Sequence, residues 1–159
     1  MHTLVPCQHR LTTRREAVAV APRKPLILVV EDHEFAREAL GALLSAMDYD
    51  VIEAANGREA IAEVARGARP DLILLDLMMP VMDGFEFMKR QRADWRLCTI
   101  PTIVVTGVAS HDPRCLEMPV VRFLRKPYTF EQLLAAIHAE VSTASIASTT
   151  SMASARQSA

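Results

Sequence analysis

Four strand-like runs punctuate the chain: Leu26-Ile27-Leu28-Val29-Val30 and Leu72-Ile73-Leu74-Leu75, which are continuously apolar, and Ile100 to Val105 and Val120 to Leu124, which Pro101-Thr102 and Arg122 interrupt. Continuous runs of this length, without apolar–polar alternation, are the pattern of strands buried on both faces. Val51–Ala54 adds a fifth, shorter strand. Between the runs the period turns helical. Phe35, Ala39, Ala42, Leu43 and Met47 form a stripe on a helix from near Glu34 to Met47, and this stripe is its expected buried face. Asn56-Gly57 turns the chain into a second helix through Ala60, Ile61 and Val64, which Gly67 stops. Asp83-Gly84 opens a third, carrying Phe85, Phe87 and Met88, and a last helix from about Phe130 to Val141 buries Leu133, Leu134 and Ile137. Strands alternating with helices predict an α/β domain, a parallel sheet with helices on both faces and right-handed crossovers.

What stands at the end of each strand carries the chemistry. The first run ends in Glu31-Asp32, the second in Asp76, the third in Thr106, and the fourth is followed by Arg125-Lys126-Pro127. Ligands of such sheets sit at the carboxyl ends of the strands, so the topology gathers Glu31, Asp32, Asp76, Thr106 and Lys126 around one crevice. Each of these residues alone is ordinarily a loop cap or a solvated surface group. Together they suit a divalent cation and a phosphoryl group. A carboxylate is a poor nucleophile toward a negatively charged phosphorus, and a bridging cation offsets that repulsion. Magnesium accepts a few carboxylate oxygens completed by water. Asp32 and Asp76 are its expected ligands, with Glu31 close by or acting through water and the backbone carbonyl of Met78 as a further one. Lys126 supplies a point charge to the phosphoryl group and Thr106 a hydroxyl donor.

Composition narrows the function classes. The 159 residues fit one domain with a single good core, aliphatic because only 5% of residues are aromatic. The net charge of -1 conceals a split: residues 26–141 hold 18 acidic against 12 basic residues, a balance of -6. An acidic domain argues against a nucleic-acid surface. Residues 1–24 carry Arg10, Arg14, Arg15, Arg23 and Lys24 against Glu16 and are expected to be a disordered basic tail. Residues 142–159 are mostly Ser, Thr and Ala and are expected to be flexible, leaving 25–141 as the folded domain. Three cysteines without CxxC spacing exclude a disulfide scaffold or zinc site and fit a reducing compartment. No apolar stretch reaches membrane-spanning length and no secretory signal stands at the N-terminus, so the expected location is the cytoplasm, with no membrane partner.

The segments Leu28-Val29-Val30-Glu31-Asp32, Leu74 to Gly84 with Asp76, Pro80 and Asp83-Gly84, Val104-Val105-Thr106-Gly107 and Lys126-Pro127 resemble the receiver domain of bacterial two-component response regulators. The resemblance covers about residues 25–141. It implies a flavodoxin-like, doubly wound five-stranded sheet of order 2-1-3-4-5 that takes a phosphoryl group from a phosphohistidine. Asp76 then matches the phospho-acceptor, Glu31 and Asp32 the acidic pair that holds Mg2+, and Thr106 and Lys126 the switch hydroxyl and the lysine. Phe123, three residues before Lys126, matches the aromatic that turns inward when Thr106 moves toward the phosphoryl group; its plainer reading is core packing. The Lys126-Pro127 bond is expected to be cis. The implied partners are a sensor histidine kinase or a histidine phosphotransfer protein, and a downstream protein target.

The chain departs from the family pattern between Thr106 and Lys126. Ser110-His111-Asp112-Pro113 and Glu117-Met118-Pro119 restrict the helix there to a short piece, which makes the signalling face atypical. Met78 and Val108, which flank the hydrolytic water's path in the family, are both apolar and cannot orient it, so slow loss of the phosphoryl group is expected. Met78→Asn combined with Val108→Glu should shorten the phosphoryl lifetime severalfold, and an unchanged lifetime would refute the idea. His33 reads as a loop or helix-start residue, Asn56-Gly57 as a turn signal only. A haloacid-dehalogenase-type phosphatase needs an acid two residues after the nucleophile, where Met78 stands. A flavin or nucleotide binder needs a Gly-rich loop where Glu31-Asp32-His33-Glu34 stands. A phosphorylation-independent docking module is the remaining alternative. The expectation is a stand-alone switch, catalysing only its own phosphorylation and dephosphorylation, with no DNA binding in cis.

Overall fold

The computed structural model describes residues 23–107, 115 and 122–141. The chain alternates β1 (Leu26–Val30), α1 (Glu34–Ala46), β2 (Asp50–Ala54), α2 (Gly57–Ala65), β3 (Leu72–Leu75), α3 (Gly84–Ala93), β4 (Thr102–Thr106) and β5 (Arg122–Arg125), and a helix over 130–141, here α4, closes the domain. The five strands form one parallel sheet of order β2-β1-β3-β4-β5, as expected from the sequence. The strand order reverses between β1 and β3, so the carboxyl ends of those two strands face the crevice. The expected short helix between Thr106 and Lys126 falls outside the described residues.

Two cores explain the continuous apolar runs. Leu28, Val30, Ile73, Leu75 and Val104 face α2 and α3, where they meet Ala60, Val64, Phe87 and Met88. Their alternates Ile27, Val29, Leu72, Leu74, Ile103 and Val105 face α1 and α4 and meet Leu44, Leu133 and Ile137. Each central strand buries both faces, so neither set of positions can be polar.

The helix ends are written locally. His33 caps α1, its Nδ1 accepting from the Ala36 N–H, in agreement with the helix-start expectation. Asn56 does more than turn the chain. Its Oδ1 accepts from the N–H groups of Arg58 and Glu59, while Glu59 reaches back to the Asn56 amide and the Ala55 N–H, a reciprocal cap worth about 1 kcal/mol. Asp83 caps α3 through the Glu86 N–H. Gly67, at φ 113°, ends α2 in the left-handed region, as expected.

Two expectations are corrected. The stripe of Phe35, Ala39, Ala42, Leu43 and Met47 faces solvent, with Phe35 77% exposed; α1 buries Gly41 and Leu44, flanked by Leu40 and Arg37. The inward face is built from a glycine, a leucine pair and an arginine stem, because Gly41 lets β2 come close. In addition, β5, described at Arg122–Arg125 with Val120 and Val121 outside the described residues, is an edge strand and largely exposed instead of buried on both faces.

Candidate functional site

The register of the parallel sheet brings the strand ends together. The Asp76 N–H donates to the Val30 carbonyl, so β3 and β1 finish side by side, and Glu31 and Asp76 leave them as neighbours. The Lys126 N–H donates to the Thr106 carbonyl at 2.9 Å, which ties the loop after β5 to the end of β4. The Lys126-Pro127 peptide is cis, as expected.

Three carboxylates and one ammonium meet there. One oxygen from each of Glu31, Asp32 and Asp76 lies within 4.8 Å of the other two. Glu31 and Asp76 are buried and Asp32 is exposed at the mouth. The Lys126 ammonium donates to Asp76 Oδ2 at 2.6 Å and to Glu31 Oε2 at 2.7 Å. Asp76 Oδ1 accepts from the Met78 N–H at 3.1 Å, and Glu31 Oε1 from the His33 N–H at 3.3 Å. Each buried carboxylate thus has one oxygen on Lys126 and the other on a backbone donor of its own loop, which fixes its plane.

The charges do not balance. With all three acids ionised, one lysine leaves a surplus of two negative charges in a half-buried cleft, and a cleft of this kind attracts cations. Burial pulls the Lys126 pKa down, but the hydrogen bonds to Asp76 and Glu31, with their charges, outweigh it and hold the ammonium above its ordinary 10.5. Tyr128, close behind, has its phenol pushed up by burial; Lys126 opposes the shift and Glu31 and Asp76 add to it. The donor set is all oxygen, with carboxylates clustered and an open side at Asp32, which fits a hard cation such as Mg2+ held with water.

Gly84 allows the approach of α3. Its N–H donates to the Leu77 carbonyl, and a Cβ at this position would stand 2.5 Å from the Asp76 carbonyl oxygen and 2.7 Å from Leu77 Cα. Those are backbone atoms that cannot give way, so glycine at position 84 is what lets α3 start directly over the Asp76 loop. Within that loop Val81 has φ 70°, unusual for a β-branched residue and worth about 1–3 kcal/mol of strain.

Of the residues marked in the sequence for the site, Glu31, Asp32, Asp76, Thr106 and Lys126 stand at or just beyond the carboxyl ends of the strands, Met78 follows in the loop after β3, and Phe123 lies within β5. Thr106 is buried at the end of β4. Phe123 lies on β5 opposite Val104, is 40% exposed and, among the described residues, is part of neither core cluster. Met78 projects into solvent, 60% exposed, and its amide rather than its side chain faces Asp76. Sequence reasoning missed Arg37 and Tyr128. Arg37 Nη1 donates to the backbone carbonyl of Glu31 at 2.8 Å; its only sequence signal was a basic residue in phase with Leu40 and Leu44.

Comparison with known proteins bears on this arrangement. Residues 27–138 match the response regulator receiver domain. A hybrid signal transduction histidine kinase of Dictyostelium discoideum is 37% identical over 116 residues, 72% of this chain and 7% of that protein. The response regulator MprA of Mycolicibacterium vanbaalenii is 38% identical over 115 residues, 71% of this chain and 48% of that protein. The chain therefore spans half or less of the curated relatives it matches. Among solved structures, the receiver domain of a sensor histidine kinase from Pseudomonas aeruginosa, crystallised with a magnesium ion coordinated in its active-site cleft, superposes with a TM-score of 0.68 at 29% identity, covering 75% of this chain and 98% of that one. Among the described residues no helix is long and apolar enough to cross a membrane. The chain belongs to the response regulator receiver domain family of two-component signalling.

Proposed function

We propose that the chain is a phospho-acceptor switch in which Asp76 takes a phosphoryl group from a phosphohistidine of a sensor histidine kinase or a histidine phosphotransfer protein. A carboxylate oxygen of Asp76 forms the new O–P bond, the P–N bond breaks, and the imidazole leaves with its electron pair. The observation that carries this reading is the pairing of Asp76 and Glu31 through one ammonium within a cluster of three acids. Glu31, Asp32, Asp76 and the Met78 carbonyl would hold Mg2+, which when bound offsets the charge between carboxylate and phosphoryl oxygens. Lys126, already at hydrogen-bond distance from Asp76, is placed to follow the new charge from the carboxylate to a phosphoryl oxygen.

Phosphorylation replaces the single charge of the Asp76 carboxylate with an acyl phosphate that carries close to two negative charges and three acceptor oxygens. Thr106, the hydroxyl residue at the neighbouring strand end, would donate to that group, and Phe123, partly exposed on the edge strand, would turn inward behind it. The signal would then pass by protein–protein contact or by phosphorelay. Residues 25–141 suffice for this chemistry, because every group invoked lies within them.

The test is labelling with a small-molecule phosphodonor, with and without Mg2+, of the parent chain and of Asp76→Asn. Expected is an acid-stable, hydroxylamine-labile label that needs Mg2+ and falls by more than about a hundredfold in the variant. An unlabelled but folded parent would favour a phosphorylation-independent docking module.

A further inference from the structure

Arg37 reaches the site from α1 without touching a carboxylate of the cluster. Its side chain is only 15% exposed. Nη1 donates to the Glu31 carbonyl at 2.8 Å and lies 3.4 Å from the Asp32 carbonyl, so one guanidinium grips the backbone of both acids. On its other side Nε faces Glu53 Oε2 of β2 at 3.6 Å. Glu53 in turn lies across α1 at Gly41, where a Cβ would stand 2.4 Å from Glu53 Oε1. A glycine in mid-helix, a glutamate on the neighbouring strand and an arginine thus form one chain of contacts ending at the loop that carries Glu31 and Asp32.

The chain solves an electrostatic problem. A permanent cation close to a cation site would repel the ion it helps to place. Glu53 offsets the Arg37 charge on the side away from the site, so the guanidinium can hold the loop through hydrogen bonds while the three acids keep their surplus. Partners of this second layer commonly set metal affinity by 10–100-fold.

We propose that Arg37 is a positioning residue for the cation site, holding the Glu31–Asp32 backbone, and that Glu53, given room by Gly41, keeps Arg37 in place and neutralises it. The inference rests on the reading of Glu31, Asp32 and Asp76 as a Mg2+ site. Gly41→Ala separates this role from plain support of the fold. Its new methyl meets only the flexible end of Glu53, and alanine favours the helix more than glycine does. A merely structural network would leave this variant unchanged; a positioning network predicts stability kept and Mg2+ affinity lost.

The experiment is a Mg2+ titration of the full chain, followed at the Met78 amide, which donates to Asp76, alongside thermal melting. Arg37→Met should bind Mg2+ about tenfold more weakly, Arg37→Lys should recover part of the loss, and Gly41→Ala should weaken binding without lowering the melting temperature. If Arg37→Met folds, a loss of about threefold or more supports the role and a smaller change overturns it; if it does not fold, Gly41→Ala decides by the same threshold. A parent chain that binds no Mg2+ would overturn the proposed function itself, whereas a binding parent with unaltered variants would overturn this inference alone.

Discussion

The two ends of the sheet both carry charge, and they carry it differently. At the amino ends of the strands three acids each have their own cation: Arg23 grips Asp71 with two hydrogen bonds, Lys24 meets Asp48, and Arg96 binds Asp94. These pairs are balanced and partly or fully exposed, and such pairs add little to stability. At the carboxyl ends three acids share one lysine, two of them buried. Self-repulsion there is a standing cost that a folded chain would not keep for stability's sake. A ledger of charge, end by end, thus separates a binding site from scaffolding.

The largest contrast should appear with Mg2+. At a concentration about a hundredfold above its Kd, binding adds about 2.7 kcal/mol of stability, or roughly 5–10 °C of melting temperature. Asp32→Asn and Asp76→Asn should lose most of this rise, whereas Asp71→Asn should keep it in full. A rise that survives in the first two and vanishes in Asp71→Asn would invert the comparison.

Lys126→Met removes the one cation that, among the described residues, pairs with the acid cluster. At neutral pH the variant should be about 1–2 kcal/mol less stable, a value discounted because the lysine is a third exposed, and its stabilisation by Mg2+ should exceed that of the parent. Because the Lys126 pKa is raised in the folded chain, its contribution is complete below about 10.5 and is lost as pH rises through the folded value. Denaturant melts from pH 7 to 11 should therefore fall more steeply for the parent than for Lys126→Met.

Asp71→Asn tests the balanced end. It weakens the Arg23 pair and the bond from the Leu26 N–H at the start of β1, and should cost about 1 kcal/mol in chemical denaturation. Phosphoryl uptake should not change. A loss of uptake would show that the two ends are coupled through β1.

How much of this was legible in the chain depends on what kind of information each feature needs. The central strands were legible because a strand buried on both faces must be apolar at every position, and Leu26–Val30 and Leu72–Leu75 are. The chemistry was legible because a parallel sheet places each residue that follows a strand at the same edge, so Glu31, Asp32, Asp76, Thr106 and Lys126 were joined by topology alone. The α2 cap was written as Asn56 and Glu59, at capping-box spacing, and was overlooked because Asn-Gly is the louder signal.

The buried face of α1 was not legible. Its apolar residues fall on two sides, Phe35, Ala39, Ala42, Leu43 and Met47 on one, Leu40 and Leu44 on the other, and periodicity fixes the spacing of a stripe but not which stripe turns inward. Only packing decided it. Gly41 faces β2, where a side chain would have to push the end of Glu53 aside, and that close approach goes with Leu44 in the core, Phe35 in solvent and Arg37 turned toward the carbonyls of Glu31 and Asp32. The sequence by itself determined the residues at the strand ends and therefore the chemistry. The close approach of helix and strand, a distance between elements far apart in the chain, decided how the backbone beneath that chemistry is held.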